Sequence, residues 1–284
     1  MAIVNKIVQY PGVDERSFRT EKKGEIITLF STVDAIGKST IAVNLATCLA
    51  RLSGEKVCIV DADLHFGDIC RLLNIHPRNT IADFAERGYS AGEAIVEYLE
   101  KWQHDIFVLA APREYAKVEL VTAAVFGSVL SELSCHFKYI LIDTSLGFSD
   151  LVLSALDMSN MILFINTLDS ISGVKNLQKG LDAFQGIGYS KDKVKLILNR
   201  YKAKTAIGIS EVESGIGRRF AAKVSNDFAV AVAATREGRP FSIAHPDKEI
   251  SRDMLVITQA ILSGNLGEEK TSLTERLNRW LGNK

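Results

Sequence analysis

The stretch Phe30-Ser-Thr-Val-Asp-Ala-Ile-Gly-Lys-Ser-Thr40 contains half of a phosphate-binding loop. Its second part, Gly37-Lys38-Ser39-Thr40, is intact. Its first part is not. Such a loop takes a glycine six residues before its lysine, and that position here is Thr32. The flanks give the half-motif its context. Glu25-Ile-Ile-Thr-Leu-Phe30 is an apolar, β-branched run that predicts a buried strand. Residues 38–53 carry Ile41, Leu45, Leu49 and Leu52 at helical spacing, and Gly54 supplies a stop. Strand, tight loop, then helix is the arrangement in which free amides at a helix start attract phosphate. There Lys38 reaches the outer phosphates and the Ser39 hydroxyl serves Mg²⁺. Without those flanks, Gly37-Lys-Ser-Thr40 would read as an ordinary helix start with an exposed lysine.

Strand-like runs recur at 25–30, 56–60, 105–110, 138–142, 160–165, 193–198 and 221–224. Helical patterns separate most of them, as at 115–134, 148–157, 170–186 and 227–237. This alternation predicts an α/β fold: one domain with a mostly parallel, doubly wound β-sheet flanked by helices. Sheets of that kind bind ligands outside the carboxyl ends of their strands. Acids stand at two such ends. Lys56-Val-Cys-Ile-Val60 runs into Asp61-Ala-Asp63, and Tyr139-Ile-Leu-Ile142 runs into Asp143. Beside a phosphate loop, one such aspartate holds the Mg²⁺ shell and another orients the attacking water. Each alone would also serve as a helix N-cap.

Composition bounds the function. The chain has 284 residues, 47% hydrophobic and 24% charged, with a formal net charge of zero. A protein that grips DNA mainly through phosphates carries a basic excess, so the neutral charge argues against nucleic acid as a partner. The four cysteines, Cys48, Cys58, Cys70 and Cys135, show no Cys-x-x-Cys spacing, which disfavours an iron–sulfur reductase. The histidines show no metal-ligand spacing, and no apolar run is long enough to span a bilayer.

With these motifs the chain resembles the MinD/ParA family of deviant P-loop ATPases over residues 24–262. That family's loop reads Lys-Gly-Gly-x-Gly-Lys-Ser/Thr-Thr. Val33 falls on its signature lysine, Asp34 and Ala35 fall on its glycine pair, and Gly37 to Thr40 match. Asp61 and Asp63 match its Asp-x-Asp, with Asp63 as the water-positioning residue, and Asp143 matches its Walker B aspartate. Leu198-Asn199-Arg200-Tyr201 resembles the segment whose asparagine reads adenine. Val224-Ser-Asn-Asp227 and Ala234 to Pro240 resemble its late Ile-Pro-x-Asp…Gly-x-Pro stretch, with Ser225 in place of the proline. The resemblance implies ATP and Mg²⁺ as ligands. Lys38 and Asp63 are the candidate catalytic residues. Ala35, Ile36, Gly37, Lys38, Ser39, Thr40, Asn199 and Arg200 are candidates for the nucleotide, and Ser39, Asp61 and Asp143 for the metal.

Within the family the likeness is to the TadZ/CpaE branch of pilus-assembly and polar-localisation proteins. It rests on Asp143-Thr-Ser-Leu-Gly-Phe-Ser-Asp150, Ala155-Leu-Asp157 and Ser170-Ile-Ser-Gly-Val-Lys-Asn176, with Pro112 and Glu119-Leu-Val-Thr122. The implied function is an ATP-binding, dimeric positioning scaffold for a bacterial pilus or secretion apparatus. Its expected location is the cytoplasm, with peripheral contact at the inner membrane face and a pole. Two alternatives stand beside it: a nucleotide-independent pseudo-ATPase scaffold, and a turning-over ATPase in cell division or DNA positioning.

The departures point to weak hydrolysis. In the family the signature lysine reaches across a nucleotide-sandwich dimer to the partner's phosphates, and Val33 has neither charge nor donor. Asp34 sets a like charge beside a polyanion, a repulsion of about 1–4 kcal/mol at intermediate dielectric. Arg113 and Lys117 are candidates to replace the missing charge. Branch members often carry a receiver-like domain in front, so residues 1–23 read as a lead-in, with 3–10 as a stub of that domain's last helix. Residues 263–284 read as a polar linker and a final amphipathic helix. In it Ser272 and Glu275 have capping-box spacing, and Leu273, Leu277, Trp280 and Leu281 share one face flanked by Arg276 and Arg279. Residues 272–281 fit an anionic membrane surface, or docking on the protein itself or a partner.

Overall fold

The computed structural model describes residues 23–89, 92, 94–203 and 207–268. The lead-in up to residue 22 and the expected helix at 272–281 lie outside the described residues. The strands are β1 (Glu25–Phe30), β2 (Val57–Ala62), β3 (Glu100–Lys101), β4 (Ile106–Leu109), β5 (Tyr139–Thr144), β6 (Met161–Asn166), β7 (Val194–Tyr201) and β8 (Ala222–Ser225). The longer helices are α1 (Lys38–Ser53), α2 (Ala123–His136), α3 (Asp150–Met158), α4 (Ile171–Ile187), α5 (Ile209–Ile216), α6 (Phe228–Glu237) and α7 (Glu249–Leu262). They surround one sheet of order β3-β4-β2-β5-β1-β6-β7-β8. All pairings are parallel except that of β3 with β4.

Side chains that alternate along each strand build two apolar layers. Ile27, Leu29, Ile59, Val108, Leu141 and Leu163 face the layer formed by α1 and α7. Ile26, Val60, Leu109 and Ile142 pack instead against Phe126, Leu130 and Leu133 of α2. Phe30 and Phe164 join Phe184 of α4 in an aromatic cluster, with ring centroids 5.0–5.4 Å apart. A sheet covered on both faces explains why the strands read as continuous apolar runs.

Every expected strand is present, and α1 ends at Gly54 as read, its amide bonded to Ala50 O at 3.0 Å. The expected helix at 115–134 divides. Tyr115–Leu120 is a 3₁₀ turn, and α2 starts afresh at Ala123, where the Thr122 hydroxyl accepts from Val125 N. Packed chain continues past 262: Leu266 is buried in the α1–α7 layer. No helix among the described residues is long and apolar enough to cross a membrane.

Candidate functional site

The central strand β1 lies between β5 and β6, and its loop opens where the sheet order changes direction. This is the crevice in which parallel α/β sheets take ligands. The loop is tied down from within. Ser31 Oγ donates to Val33 O at 2.7 Å and accepts from Val33 N at 2.9 Å. Thr32 Oγ1 donates to Asn176 O on α4 at 3.1 Å. Val33 packs partly buried against the α1–α7 layer, so the residue at the signature-lysine position serves the core. Asp34 and Ala35 are exposed.

Helix α1 begins at Lys38. Before it, Gly37 has φ +92, and a Cβ there would lie 2.8 Å from Asn199 Nδ2. Both facts call for glycine. The Asn199 amide donates to Ile36 O at 2.6 Å, and Arg200 Nη2 donates to Ala35 O. Two successive side chains from the end of β7 thus clasp two successive loop carbonyls. Lys38 is only 8% exposed. Among the described residues its ammonium closes no hydrogen bond or ion pair. A buried, unpaired cation beside helix-start amides fits an anionic ligand.

The acids gather beside it. Asp61 and Asp143 are register partners on β2 and β5. Both are almost fully buried. Asp61 Oδ2 accepts from Ile69 N at 3.1 Å, while Asp61 Oδ1 and both oxygens of Asp143 have no partner. Burial pushes the Asp61 carboxyl well above the usual range, and the neighbouring Asp143 adds to the shift. Burial likewise raises Asp143 to about 6, against the pull of the Ser39 hydroxyl and the Lys38 ammonium. Asp63 is half-buried at the turn that follows β2 and accepts from Phe66 N at 3.2 Å.

Orphaned carboxylate oxygens and the hydroxyl of half-buried Ser39 form an oxygen set suited to Mg²⁺, and the Lys38 ammonium beside them suits the phosphates that would carry it. Among the described residues no group of three or more His, Cys, Asp or Glu could hold a metal by itself. Next to the loop lies a cleft of about 370 Å³. Gly37, Thr40, Asn199 and Asn226 border it, with apolar walls from Phe241 and Ile250. A second cleft of about 200 Å³, at the amino end of β7, is lined by Tyr189 and Arg218 and holds none of the motif residues.

The structure brings Ala35 to Thr40, Asp61, Asp63, Asp143, Asn199 and Arg200 to one end of the sheet. It does not bring Arg113 or Lys117 to the loop. Lys117 pairs with Glu86 at 2.8 Å and Asp83 at 3.7 Å, and Arg113 donates to Arg78 O at 3.0 Å. The cation on the loop is Arg200 instead. Its clasp, and the Ile69 amide that steadies Asp61, join residues too far apart in sequence or too plain in type for a motif to announce them.

Phosphate loop after β1, acids ending β2 and β5 and a parallel sheet between helices define a P-loop NTPase. The ParA family model, described as "NUBPL iron-transfer P-loop NTPase", matches residues 22–189, more than half of the chain. The chain belongs to the MinD/ParA family of P-loop NTPases. It is 29% identical over 181 residues to the septum site-determining protein MinD of Thermotoga maritima. That match covers 63% of this chain and 65% of the relative, just under two thirds of its length. It is 28% identical over 143 residues, half of each chain, to the antiactivator FleN of Pseudomonas aeruginosa. Among solved structures, a ParA family ATPase of Chlorobium tepidum superposes with a TM-score of 0.77 at 17% identity, over 83% of this chain and 98% of that one. MinD of Pyrococcus horikoshii, solved with Mg-ADP, gives 0.73 at 22%, over 85% and 98%. These two likenesses speak to the fold alone. The iron transfer in the family description finds no cysteine cluster here: Cys48 and Cys58 are buried, Cys70 is half-buried and Cys135 is exposed, all free.

Proposed function

We propose that this chain is an ATP-binding, dimer-forming positioning scaffold for a bacterial pilus or secretion apparatus, in which nucleotide acts as a conformational ligand more than as fuel. The observation that carries the nucleotide reading is the unfinished electrostatics of the site. Among the described residues Lys38 closes no ion pair, and the buried Asp143 carboxyl feels the Lys38 charge and the Ser39 hydroxyl without either of its oxygens closing a hydrogen bond. A polyanion with Mg²⁺ completes both halves at once. In this reading the amides of Gly37 to Thr40 and the Lys38 ammonium hold phosphates. Ser39, Asp61 and Asp143 hold the Mg²⁺ shell, and the cleft beside Asn199 takes the base. Bound Mg²⁺ supplies charge neutralisation at the outer phosphates. Asp63 orients water, and Val33 removes the charge that would stabilise the transition state, so turnover is slow. The pilus branch is supported by the sequence likeness around Asp143–Asp150 and Ser170–Asn176.

Dimerisation through the face bearing the loop follows from the family likeness, and two-fold dimers are the commonest assembly. The tail at 272–281, outside the described residues, adds reversible attachment to an anionic membrane in a cytoplasmic, peripheral protein. The test is calorimetry of Mg·ATP with the full chain, coupled to light scattering. Heat of binding together with a doubled mass is expected. Neither heat nor thermal shift at millimolar Mg·ATP would reject the reading in favour of a nucleotide-independent scaffold. Equal pelleting on anionic vesicles of the full chain and a version ending at Gly267 would remove the membrane role.

A further inference from the structure

The loop already holds an anion of its own. Asp34 Oδ1 accepts from Ala35 N at 2.7 Å, the short distance of a charge-assisted bond. Ala35 has φ +52, and the residue that grips its carbonyl, Arg200, has φ +54. Two non-glycine residues in the left-handed region, joined by a guanidinium–carbonyl bond, form a fixed rather than a slack arrangement. Asn199 fixes the next carbonyl, that of Ile36. Val33 N is taken as well, by the Ser31 hydroxyl. The first half of the loop therefore has two amides engaged internally, and one of them is engaged by a negative charge. For the helix-start positions Lys38 and Ser39, no such internal acceptor is found among the described residues.

We propose that Asp34 is a specificity determinant of the loop: its carboxylate occupies an amide that phosphate would use, and it disfavours nucleoside triphosphate more than diphosphate. This rests on the nucleotide reading of the site. An amide proton serves one strong acceptor at a time, so phosphate engages Ala35 N only after the carboxylate leaves. The clasp on Ala35 O and Ile36 O fixes the two peptide planes that follow this amide, and the Ser31 bonds fix the chain at Val33 before it, so the carboxylate and its amide sit between two anchored stretches of the loop. Repulsion between Asp34 and the ligand grows with ligand charge. The penalty is greater for the more highly charged triphosphate. Asp34 is exposed, so salt screens the effect.

The test is calorimetry on the full chain and on Asp34→Asn and Asp34→Gly, with Mg·ADP and Mg·ATP at low and at physiological salt. Asp34→Asn keeps the shape and removes the charge. It is expected to tighten Mg·ATP about tenfold or more at low salt, to tighten Mg·ADP less, and to lose part of both gains as salt rises. Asp34→Gly is expected to go further, with faster hydrogen exchange at the Ala35 amide in the nucleotide-free chain. Binding by Asp34→Asn where the native chain shows none supports the proposal. Native binding that neither variant alters, for either nucleotide, overturns it and leaves the nucleotide reading intact. Melting like the native chain's with no binding by any of the three overturns both.

Discussion

Asp143→Asn is predicted to stabilise the nucleotide-free protein while removing its response to Mg·ATP. The carboxyl sits on β5, buried, with neither oxygen hydrogen-bonded. Its pKa in the folded chain is raised from 3.8 to about 6, first by burial. A carboxyl whose folded pKa lies above its unfolded value favours the folded state while protonated. That contribution is complete below the unfolded pKa and is lost as pH rises through the folded one. At about 1.4 kcal/mol per unit, the ionised group costs the fold about 3 kcal/mol near pH 8 and about half of that near pH 5. Asparagine keeps the shape without the charge, and its register neighbour Asp61 offers an unpartnered Oδ1 as acceptor. Burying the new amide returns part of the gain, leaving about 1–2 kcal/mol near pH 8. For a domain of this size that is a rise in Tm of roughly 2–8 °C. The assay is calorimetric melting of the full chain in EDTA near pH 5 and pH 8, then with Mg·ATP. A larger gain at pH 8 than at pH 5, with the Mg·ATP shift abolished, is expected. A loss of stability of equal size at both pH values would refute the reasoning, because it would make Asp143 a satisfied structural group.

Three further outcomes follow from the same geometry. Lys38→Ala should abolish Mg·ATP binding in calorimetry, since Lys38 is the motif lysine that remains to offset phosphate charge. Gly180→Ala places a Cβ 2.6 Å from Phe164 Cζ and 3.0 Å from Thr32 Cγ2; melting should show a loss of about 1–3 kcal/mol from overpacking under the loop. The triple change Val33→Lys, Asp34→Gly, Ala35→Gly should raise a slow phosphate release, and adding Asp63→Ala should return it to background; a triple variant no faster than the native chain would show that the loop is not what limits turnover.

The sheet was legible because its strands are covered on both faces and carry unbroken apolar runs, and β1 through α1 read correctly from Glu25 to Gly54. What escaped was local in two cases and remote in the others. A helical pattern that reads on from Tyr115 into Leu133 hides the fresh start at Ala123, which the hydroxyl of Thr122 sets. Strand β3 has two residues, too few to show alternation. The clasp of Asn199 and Arg200 on the loop joins residues over 160 positions apart, and nothing near either end encodes it. Arg113 and Lys117 were legible as cations, but the sequence held no sign that Lys117 has Glu86 and Asp83 as neighbours.

The two kinds of motif residue do not carry equal weight for function. Gly37 is explained by the fold alone, because its φ of +92 and the approach of Asn199 leave room for no other residue. Ile41 and Leu45 are explained by the layer they fill. An intact Gly-Lys-Ser-Thr could therefore persist in a chain that binds nothing, at least for its glycine. Asp143 admits no such account. Among the described residues its oxygens close no hydrogen bond, the Ser39 hydroxyl and Lys38 ammonium offset its burial only in part, and when ionised it opposes folding by about 3 kcal/mol. Buried polar groups without partners are rare in folded proteins, and a fold does not need one at the end of a central strand. A cation relieves the ionised carboxyl, and the nearby Lys38 ammonium offsets its burial only in part, with both oxygens still unbonded among the described residues. The case for a Mg²⁺-nucleotide site in this chain thus rests more on the acid that the fold would be better without than on the loop that the fold requires.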